Sequence, residues 1–207
     1  SIISGSKEHL FCLAKNNNSW ILEYYQNLSF QNSIKLPFHC LRDLHAVSKK
    51  VIFQASSFES FEELIEVDLS ENNIFLNTKI FSSKKQNFSI SLPESFWFNG
   101  FQNKSTHSWI YKPTKKFFKK PPLIIKAHSG PTSCFDGSLD KEVQFWTARG
   151  WLFAEINYGG STGFGREYRE RLHGKWGVQD SYDCISLAKC LSRLDLIDKS
   201  KTAIFGN

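Results

Sequence analysis

The sequence predicts two parts, an all-β part up to about residue 122 and an α/β part with a parallel sheet after it. Before residue 122, short apolar or alternating runs recur between polar, turn-forming stretches. After residue 122, nearly continuous apolar runs alternate with longer segments that carry apolar residues on one helical face. The 207 residues are 41% hydrophobic and 15% aromatic, which is enough for a sizeable core and excludes a disordered tail.

Six predicted strands account for the first part. Polar stretches at 15–19 and 70–73 separate some of them, as turns do. Regular short strands of this kind are typical of a sandwich, a barrel or a propeller. A four-stranded propeller blade takes about 40–50 residues, so residues 1–85 have room for about two blades, although no blade signature or internal repeat is found there. The predicted strands are 9–14, 20–25, 51–55, 64–69, 88–92 and 108–111.

The second part has the predicted order strand, helix, strand, helix, strand, which is typical of a parallel sheet with crossover helices. Apolar spacing places the helices: Leu139, Val143 and Trp146 share one face of the first, and Gly150 is placed to end it. The five elements are 123–128, 138–149, 151–158, 182–193 and 202–205, and two antiparallel strands of the same sheet are expected at about 88–98 and 107–112.

Charge and cysteine content exclude several classes of protein. The formal net charge is +6, but much of the excess lies in a lysine- and proline-rich segment at 112–122, interpreted as a solvated linker rather than a nucleic-acid surface. No apolar run approaches the ~20 residues of a membrane helix, so no membrane partner is expected. Five widely spaced cysteines show neither zinc-ligand spacing nor a disulfide framework, which predicts no metal and a cytoplasmic location.

The two ends of the sequence are expected to be internal to a longer protein. The chain contains no methionine, even at position 1. Residues 202–207 have the pattern of a buried strand that enters a turn. The sequence therefore predicts a processed chain or, in preference, a fragment.

The first functional candidate is the turn His128-Ser129-Gly130-Pro131, directly after the first predicted parallel strand. Open α/β sheets bind ligands at the carboxyl ends of their strands. A turn of small residues there leaves backbone N–H groups that can stabilise a developing oxyanion. A tight structural turn explains the same residues equally well, so the motif alone leaves both interpretations open.

The second candidate is the glycine-rich stretch from Asn157 to Gly165. Its glycines run G-G-x-x-G-x-G, which differs from the G-x-G-x-x-G spacing of dinucleotide-binding loops, and no phosphate-binding loop motif follows. We therefore predict no cofactor. The stretch is interpreted as a conformationally demanding loop near an active site, with Tyr158, Gly159 and Gly160 at the rim.

The third candidate is the dipeptide Gly206-Asn207, which follows the last predicted strand. In α/β-hydrolases the nucleophile elbow G-x-S-x-G begins at such a position. Taken alone, Gly-Asn is a common turn and predicts nothing. In series with the other two candidates, it indicates the start of an elbow.

Together these motifs resemble the catalytic domain of the prolyl oligopeptidase family of serine peptidases, especially its acylaminoacyl-peptidase and dipeptidyl-peptidase group. The resemblance covers about 121–207 and is most specific at 157–168, Asn-Tyr-Gly-Gly-Ser-Thr-Gly-Phe-Gly-Arg-Glu-Tyr. It implies a β-propeller followed by an α/β-hydrolase domain. The implied boundaries are 1–85 for the last part of a propeller, 86–122 for a crossing segment with leading strands of the hydrolase sheet and the Lys/Pro-rich linker, and 123–207 for the first half of the hydrolase domain, truncated at the elbow.

The resemblance also implies roles for single residues. Gly130 would offer its backbone N–H to the oxyanion, while His128 and Pro131 shape the turn. Ser129 stands where the family usually has glycine, which can alter the oxyanion geometry. Because this fold orders its triad as Ser, then Asp or Glu, then His, all three catalytic residues are expected after Asn207 and none within the chain.

Other reactive side chains are not expected to be catalytic. The histidines of the first part, His107 among them, are expected to lack a paired serine or aspartate, and His173 is expected to be solvated. Asp180 and Asp183 have the spacing of an acid/base pair but fit better as charges at a helix N-terminus. Cys134 is expected to be structural.

The leading hypothesis is a fragment of a cytoplasmic serine peptidase that hydrolyses short peptides through an acyl-enzyme, the fragment itself being inactive. No cofactor, metal or nucleic acid is expected, and the oligomeric state is left open. One alternative is an esterase on the same fold. The other is a non-catalytic protein that binds an anionic partner through its β part and lysine-rich segment.

Overall fold

The structure is a computed structural model that describes residues 2–16, 19–68, 79–81, 89–130 and 133–206. The chain divides into two compact units, residues 1–87 and 88–207. Most of the expected crossing segment, 86–122, therefore belongs to the second unit.

The first unit contains two four-stranded antiparallel sheets, each with its strands in chain order. The first sheet comprises β1 (Ile2–Gly5), β2 (His9–Asn16), β3 (Ser19–Gln26) and β4 (Ser29–Leu36), and the second comprises β5 (Cys40–Val47), β6 (Lys50–Ser56), β7 (Glu63–Asp68) and β8 (Lys79–Phe81). The strands predicted from residue 9 to residue 69 are all present. The other four strands were not expected; β4, for example, is mostly exposed and has no apolar run.

The core of the first unit is formed by every second side chain along its strands. Phe11 and Leu13 of β2 and Val51 and Phe53 of β6 are completely buried, and all four belong to one apolar cluster. Each such side chain contributes about 1.5–3 kcal/mol when it leaves water. Residues of both sheets share this cluster, so the two sheets pack around a common core.

The second unit contains a five-stranded sheet formed by β9 (Pro93–Asn99), β10 (Ser105–Tyr111), β11 (Leu123–Ala127), β12 (Leu152–Asn157) and β13 (Thr202–Gly206). Its order in space is β13-β11-β12-β10-β9. β11 is parallel to β12 and β13, while β10 is antiparallel to β12 and β9. These pairings confirm the parallel sheet and its antiparallel leading strands.

The predicted strand at 88–92 is wrong. Residues 89–92 are irregular, β9 begins at Pro93, and residue 88 lies outside the described residues. The Ser91 N–H donates to the side chain of Gln144 instead of to a neighbouring strand. Ser91 is buried and Leu92 is exposed, so the run marks an irregular segment that leads into β9.

The lysine- and proline-rich segment 112–122 connects β10 with β11, two strands of one sheet. Four of its five lysines are exposed, as expected of a solvated connection. Lys112 pairs with Glu94 at 2.8 Å on the surface. The segment therefore lies within the second unit.

The described residues of the second unit also form a short 3-10 turn and three helices: η1 (Phe101–Asn103), α1 (Lys141–Thr147), α2 (Arg166–Glu170) and α3 (Gln179–Arg193). α1 starts later than predicted because Asp140 caps it, accepting a hydrogen bond from the Glu142 N–H. α3 starts three residues before the predicted position, and α2 was not expected. In the ranges that the structure describes, no helix is long and apolar enough to cross a membrane.

The side chains of β12 alternate between two cores. Ile156 packs with Leu187 of α3 on one face of the sheet. Phe153 packs on the other face with Val143 of α1. Cover on both faces explains why β12 is a nearly continuous apolar run.

Candidate active site

The three parallel strands end at one edge of the sheet, and the sequence motifs follow them. In register, Ala127 of β11 lies between Ile156 of β12 and Gly206 of β13. The turn that starts at His128, the glycine-rich loop that starts at Tyr158 and the end of β13 therefore meet at this edge. Such carboxyl edges are where open α/β sheets bind ligands.

The turn after β11 exposes its backbone. Ser129 and Gly130 are both exposed. Gly130 has φ +67°, in the left-handed region that favours glycine. Nothing lies within 4 Å of the place that a Cβ would take there, so conformation rather than space requires the glycine. Pro131 lies outside the described residues.

Tyr158 supports this turn. Its hydroxyl oxygen lies 2.9 Å from the Gly130 carbonyl oxygen, 3.0 Å from the His128 carbonyl oxygen and 3.2 Å from His128 Nδ1. Its ring stacks on the imidazole with the centroids 4.3 Å apart. Burial raises the pKa of Tyr158 to about 12, so the hydroxyl keeps the proton that it donates.

Tyr158, Gly159 and Gly160, expected at the rim of an active site, are all buried, and only 3% of Tyr158 is exposed. Tyr158 contacts the turn, and the two glycines attach the loop to the rest of the unit. Their place at an active-site rim stays a prediction.

His128 connects the turn to the glycine-rich loop. Its Nε2 lies 2.6 Å from the Oγ of Ser161. That hydroxyl is fully buried and donates to the Tyr158 carbonyl oxygen at 2.8 Å. Burial lowers the pKa of His128, which favours the neutral imidazole at pH 7.

Two glycines let the loop approach its supports closely. Gly160 has φ +126°, and a Cβ there would lie 2.6 Å from the Cβ of Leu172. At Gly159 a Cβ would lie 2.7 Å from Gln179 Nε2. The Gly160 N–H also donates to the Tyr168 carbonyl at 2.9 Å. The expectation of a conformationally demanding loop is thus confirmed.

The carboxylate of Asp183 anchors the loop to α3. It is fully buried, and its Oδ2 accepts hydrogen bonds from the Gly159 N–H at 2.8 Å and from Gln179 Nε2 at 2.7 Å. Its Oδ1 accepts from the Phe101 N–H at 2.7 Å. The helix-terminus interpretation is therefore wrong for Asp183, which lies in the second turn of α3, whereas Asp180 does lie in the first turn.

Asn157, the last residue of β12, joins the segment that follows the Gly130 turn to the glycine-rich loop. Its Oδ1 accepts from the Phe135 N–H at 2.7 Å, and its Nδ2 donates to the Phe135 carbonyl at 3.0 Å. The Thr162 N–H adds a bond to the Ser133 carbonyl at 3.0 Å. These bonds fix both the spacing of the loops and the orientation of the Asn157 amide.

The fixed amide decides which nitrogen of His107 carries the proton. Asn157 Nδ2 points a hydrogen at His107 Nδ1, 3.1 Å away, so Nδ1 accepts. Nε2 then carries the proton and donates to the Oγ of Ser95 at 3.1 Å. Burial lowers the pKa of His107 to about 4, which keeps the ring neutral at pH 7.

The expectation that His107 lacks a serine partner is therefore wrong. The Ser95–His107–Asn157 arrangement nevertheless differs from a catalytic triad. A general base must present an unprotonated nitrogen to the serine hydroxyl. His107 presents an N–H donor to Ser95, so it cannot take the serine proton.

Glu155 is a second buried titratable group on the α1 face of the sheet. Only 3% of it is exposed, and it accepts a hydrogen bond from the Tyr111 hydroxyl at 2.7 Å. Burial raises the pKa of Glu155 to about 8, although that hydrogen bond works to lower it. Lys126, its register neighbour, binds Glu142 and Asp140 instead, at 2.7 and 3.2 Å.

The elbow candidate is described only up to Gly206. A Cβ at Gly206 would lie 3.1 Å from the Ala127 carbonyl oxygen, so the end of β13 packs closely on β11. Asn207 lies outside the described residues. Within the described ranges, no group of three or more His, Cys, Asp or Glu residues is placed to hold a metal ion.

Comparison with known proteins finds a family similar to part of this unit. Residues 137–207 match the sequence profile of the prolyl oligopeptidase family. The match includes the glycine-rich loop, α3 and β13, and it confirms the resemblance inferred from the motifs.

Individual prolyl oligopeptidase relatives are much longer than this chain. Acylamino-acid-releasing enzyme 1 of Oryza sativa subsp. japonica is 35% identical over 85 residues, which are 41% of this chain and 11% of that protein. Dipeptidyl-peptidase 5 of Trichophyton equinum is 31% identical over 97 residues, 45% of this chain and 13% of that protein. A solved Mycobacterium tuberculosis puromycin-hydrolyzing peptidase is similar with a TM-score of 0.82 and 26% identity, over 96% of this chain and 31% of that one.

Proposed function

We propose that this chain contributes to a serine peptidase that hydrolyses short peptides through an acyl-enzyme intermediate. In this proposal the Gly130 N–H is one of two donors to the tetrahedral oxyanion. The nucleophilic serine follows Asn207 directly, and the residue after that serine supplies the second N–H.

The observation that carries the proposal is the position of the Gly130 turn relative to the end of β13. β13 pairs with β11 so that Gly206 lies beside Ala127, three residues before Gly130. A nucleophile that follows β13 would therefore lie next to the exposed turn. The family match of residues 137–207 supports this arrangement.

The described histidines near the site have other tasks than proton transfer. His107 presents an N–H to Ser95, and His128 is engaged by Ser161 and Tyr158. In the proposed reaction the serine oxygen attacks the peptide carbonyl carbon while a histidine beyond Asn207 takes the serine proton. That proton then goes to the leaving amine, and water releases the acyl group.

We also infer that the first unit is the last part of a β-propeller, about two blades long. Two four-stranded antiparallel sheets in chain order have the form of two blades. The similarity to the mycobacterial peptidase, which extends over 96% of this chain, supports the inference. As the family resemblance implies, a propeller would restrict entry to short peptides.

The test is an assay of the natural protein with N-acylated peptides, aminoacyl amides and p-nitrophenyl esters. Cleavage of peptide or amide bonds that a serine-directed fluorophosphonate blocks is the expected result. Cleavage of esters alone would indicate the esterase instead. Binding to nucleic acid or anionic lipid that falls steeply with salt, without any hydrolysis, would indicate the non-catalytic alternative.

A further inference from the structure

We propose that Ser161 is a positioning residue for the Gly130 turn and acts through the imidazole of His128. The proposal rests on the function proposed above, since it assigns to Ser161 the task of keeping the oxyanion donor in place. Ser161 itself is fully buried, so it would not touch a substrate.

The hydroxyl of Ser161 lies between the glycine-rich loop and the His128 ring. Its oxygen is 2.8 Å from the Tyr158 carbonyl oxygen and 2.6 Å from His128 Nε2. The other ring nitrogen, Nδ1, lies 3.2 Å from the Tyr158 hydroxyl and 3.4 Å from the Ser129 carbonyl oxygen. Both nitrogens of the ring are therefore held, Nε2 by Ser161 and Nδ1 on the side of the turn.

The Nδ1 side of the ring faces the turn. The Tyr158 hydroxyl lies 3.2 Å from Nδ1 and also within 3.0 Å of the His128 and Gly130 carbonyl oxygens. These carbonyls belong to the peptide groups on either side of the one between Ser129 and Gly130. The hydroxyl has one proton and donates it to one of these carbonyl oxygens, which restrains the peptide group next to the one that carries the Gly130 N–H.

Ser161 is well held for this task. Its own N–H donates to the Tyr158 carbonyl at 2.9 Å. Two residues earlier, Gly159 is tied to the buried carboxylate of Asp183. The His128 ring is thus fixed from a part of the loop that is itself anchored on α3, as preorganised catalytic groups require.

The kinetic test compares Ser161→Ala with Thr162→Ala in the natural protein. We expect Ser161→Ala to lower kcat about tenfold with KM within about twofold, because a displaced oxyanion donor acts on the transition state. Thr162 is the matched control, a neighbouring hydroxyl residue whose N–H makes the described bond to Ser133. Its variant is expected to keep kcat within about twofold. A Ser161→Ala enzyme whose kcat also stays within about twofold of the unaltered enzyme would overturn the proposal.

Two further measurements keep the test decisive if Ser161→Ala folds poorly. His128→Gln retains an N–H that can reach Ser161, so it should keep several-fold more activity than His128→Ala, and equal losses would count against the proposal. Nitrogen-15 NMR of histidine-labelled protein should show one His128 tautomer in the unaltered protein and a mixture of both tautomers in Ser161→Ala. Identical tautomer populations in the two proteins would refute the contact even if no peptidase activity were found.

Discussion

Buried titratable side chains lie beside the candidate site, and each has a neighbour that determines where its proton is. His107 accepts from Asn157 and is neutral, and Glu155 accepts from Tyr111 in a position where burial favours the protonated acid. Groups of this kind couple folding to pH, because the folded and unfolded chains bind protons differently.

The first prediction at this scale concerns Glu155. Its pKa rises from 4.5 to about 8 on folding, so the folded chain binds the extra proton and stability falls as pH rises from about 4.5 to 8. Over this pH range the free energy of unfolding falls by about 3–5 kcal/mol. Glu155→Gln should remove this dependence and raise the free energy of unfolding at pH 8 more than at pH 5. Urea unfolding of both proteins at pH 5 and pH 8 measures this difference in the free energy of unfolding.

The matched control is the exposed Glu170, whose change to Gln should leave the pH dependence as it is. A Glu155→Gln protein whose stability falls with pH as steeply as that of the unaltered protein would show that Glu155 is ionised in the folded state at neutral pH.

The second prediction concerns His107 and has the opposite sign. Its pKa falls from 6.5 to about 4 on folding, so the unfolded chain binds the proton first and stability is lost as pH falls from 6.5 to 4. The loss amounts to about 3 kcal/mol. His107→Phe should be less stable at pH 7 but show a flatter decline between pH 6.5 and 4. His173→Gln, at an exposed position, should keep the original slope; an unchanged slope in His107→Phe would contradict the assignment.

The sequence indicates only some of these residues. Gly130 and the glycine-rich loop are recognisable because backbone conformation restricts the residue types that fit. Ser161, Asp183 and Asn157 make contacts with residues far away in the chain, which local patterns do not reveal. Glu155 is hidden in an apolar run because its partner, Tyr111, lies on another strand.

At the scale of elements, the site depends on how loops are tied to helices. The glycine-rich loop and η1 both donate backbone hydrogen bonds to Asp183 in α3. The approach is close: a Cβ at Gly100 would lie 2.2 Å from Asp183 Oδ1. One buried carboxylate therefore joins three elements.

Asp183→Asn tests this connection. The amide keeps the shape but has one acceptor oxygen, so an N–H group would face its NH₂. We expect a loss of about 3 kcal/mol in the free energy of unfolding, together with faster hydrogen exchange at Gly159 and Phe101. Asp180→Asn, one turn earlier and partly exposed, should cost less than about 1 kcal/mol. Equal effects of the two changes would refute the anchoring role.

Elements were predictable where their pattern is regular. β11 and β12 were found from apolar runs because the sheet is covered on both of their faces. β13 was also found from an apolar run, although most of its residues are exposed in this structure and the expectation of a buried strand is not met. β4 and α2 have mostly exposed residues and so give little apolar periodicity. The run at 88–92 was misassigned because its alternation of apolar residues with serine matches a strand, whereas residues 89–92 are irregular and Leu92 is exposed.

At the scale of the whole molecule, features of both units agree with the proposed serine peptidase. The second unit has the sheet order and loop arrangement on which the proposed oxyanion turn depends, and residues 137–207 match the profile of the prolyl oligopeptidase family. The described residues of the first unit form two four-stranded antiparallel sheets, which agree with the proposed propeller blades. The family resemblance could be drawn from sequence because its motifs lie in loops whose residues are set by chemistry and conformation. The first part has no such motif, and its propeller assignment depends on the resemblance.

The most direct measurement is to label the natural protein with a fluorophosphonate and identify the modified serine by mass spectrometry. The account predicts one labelled serine, directly after Gly206-Asn207, with loss of peptide hydrolysis as labelling proceeds. A label on Ser95 would show that its histidine neighbour acts as a base after all. A label on any other serine, or none, would equally contradict the placement of the nucleophile beside the Gly130 turn.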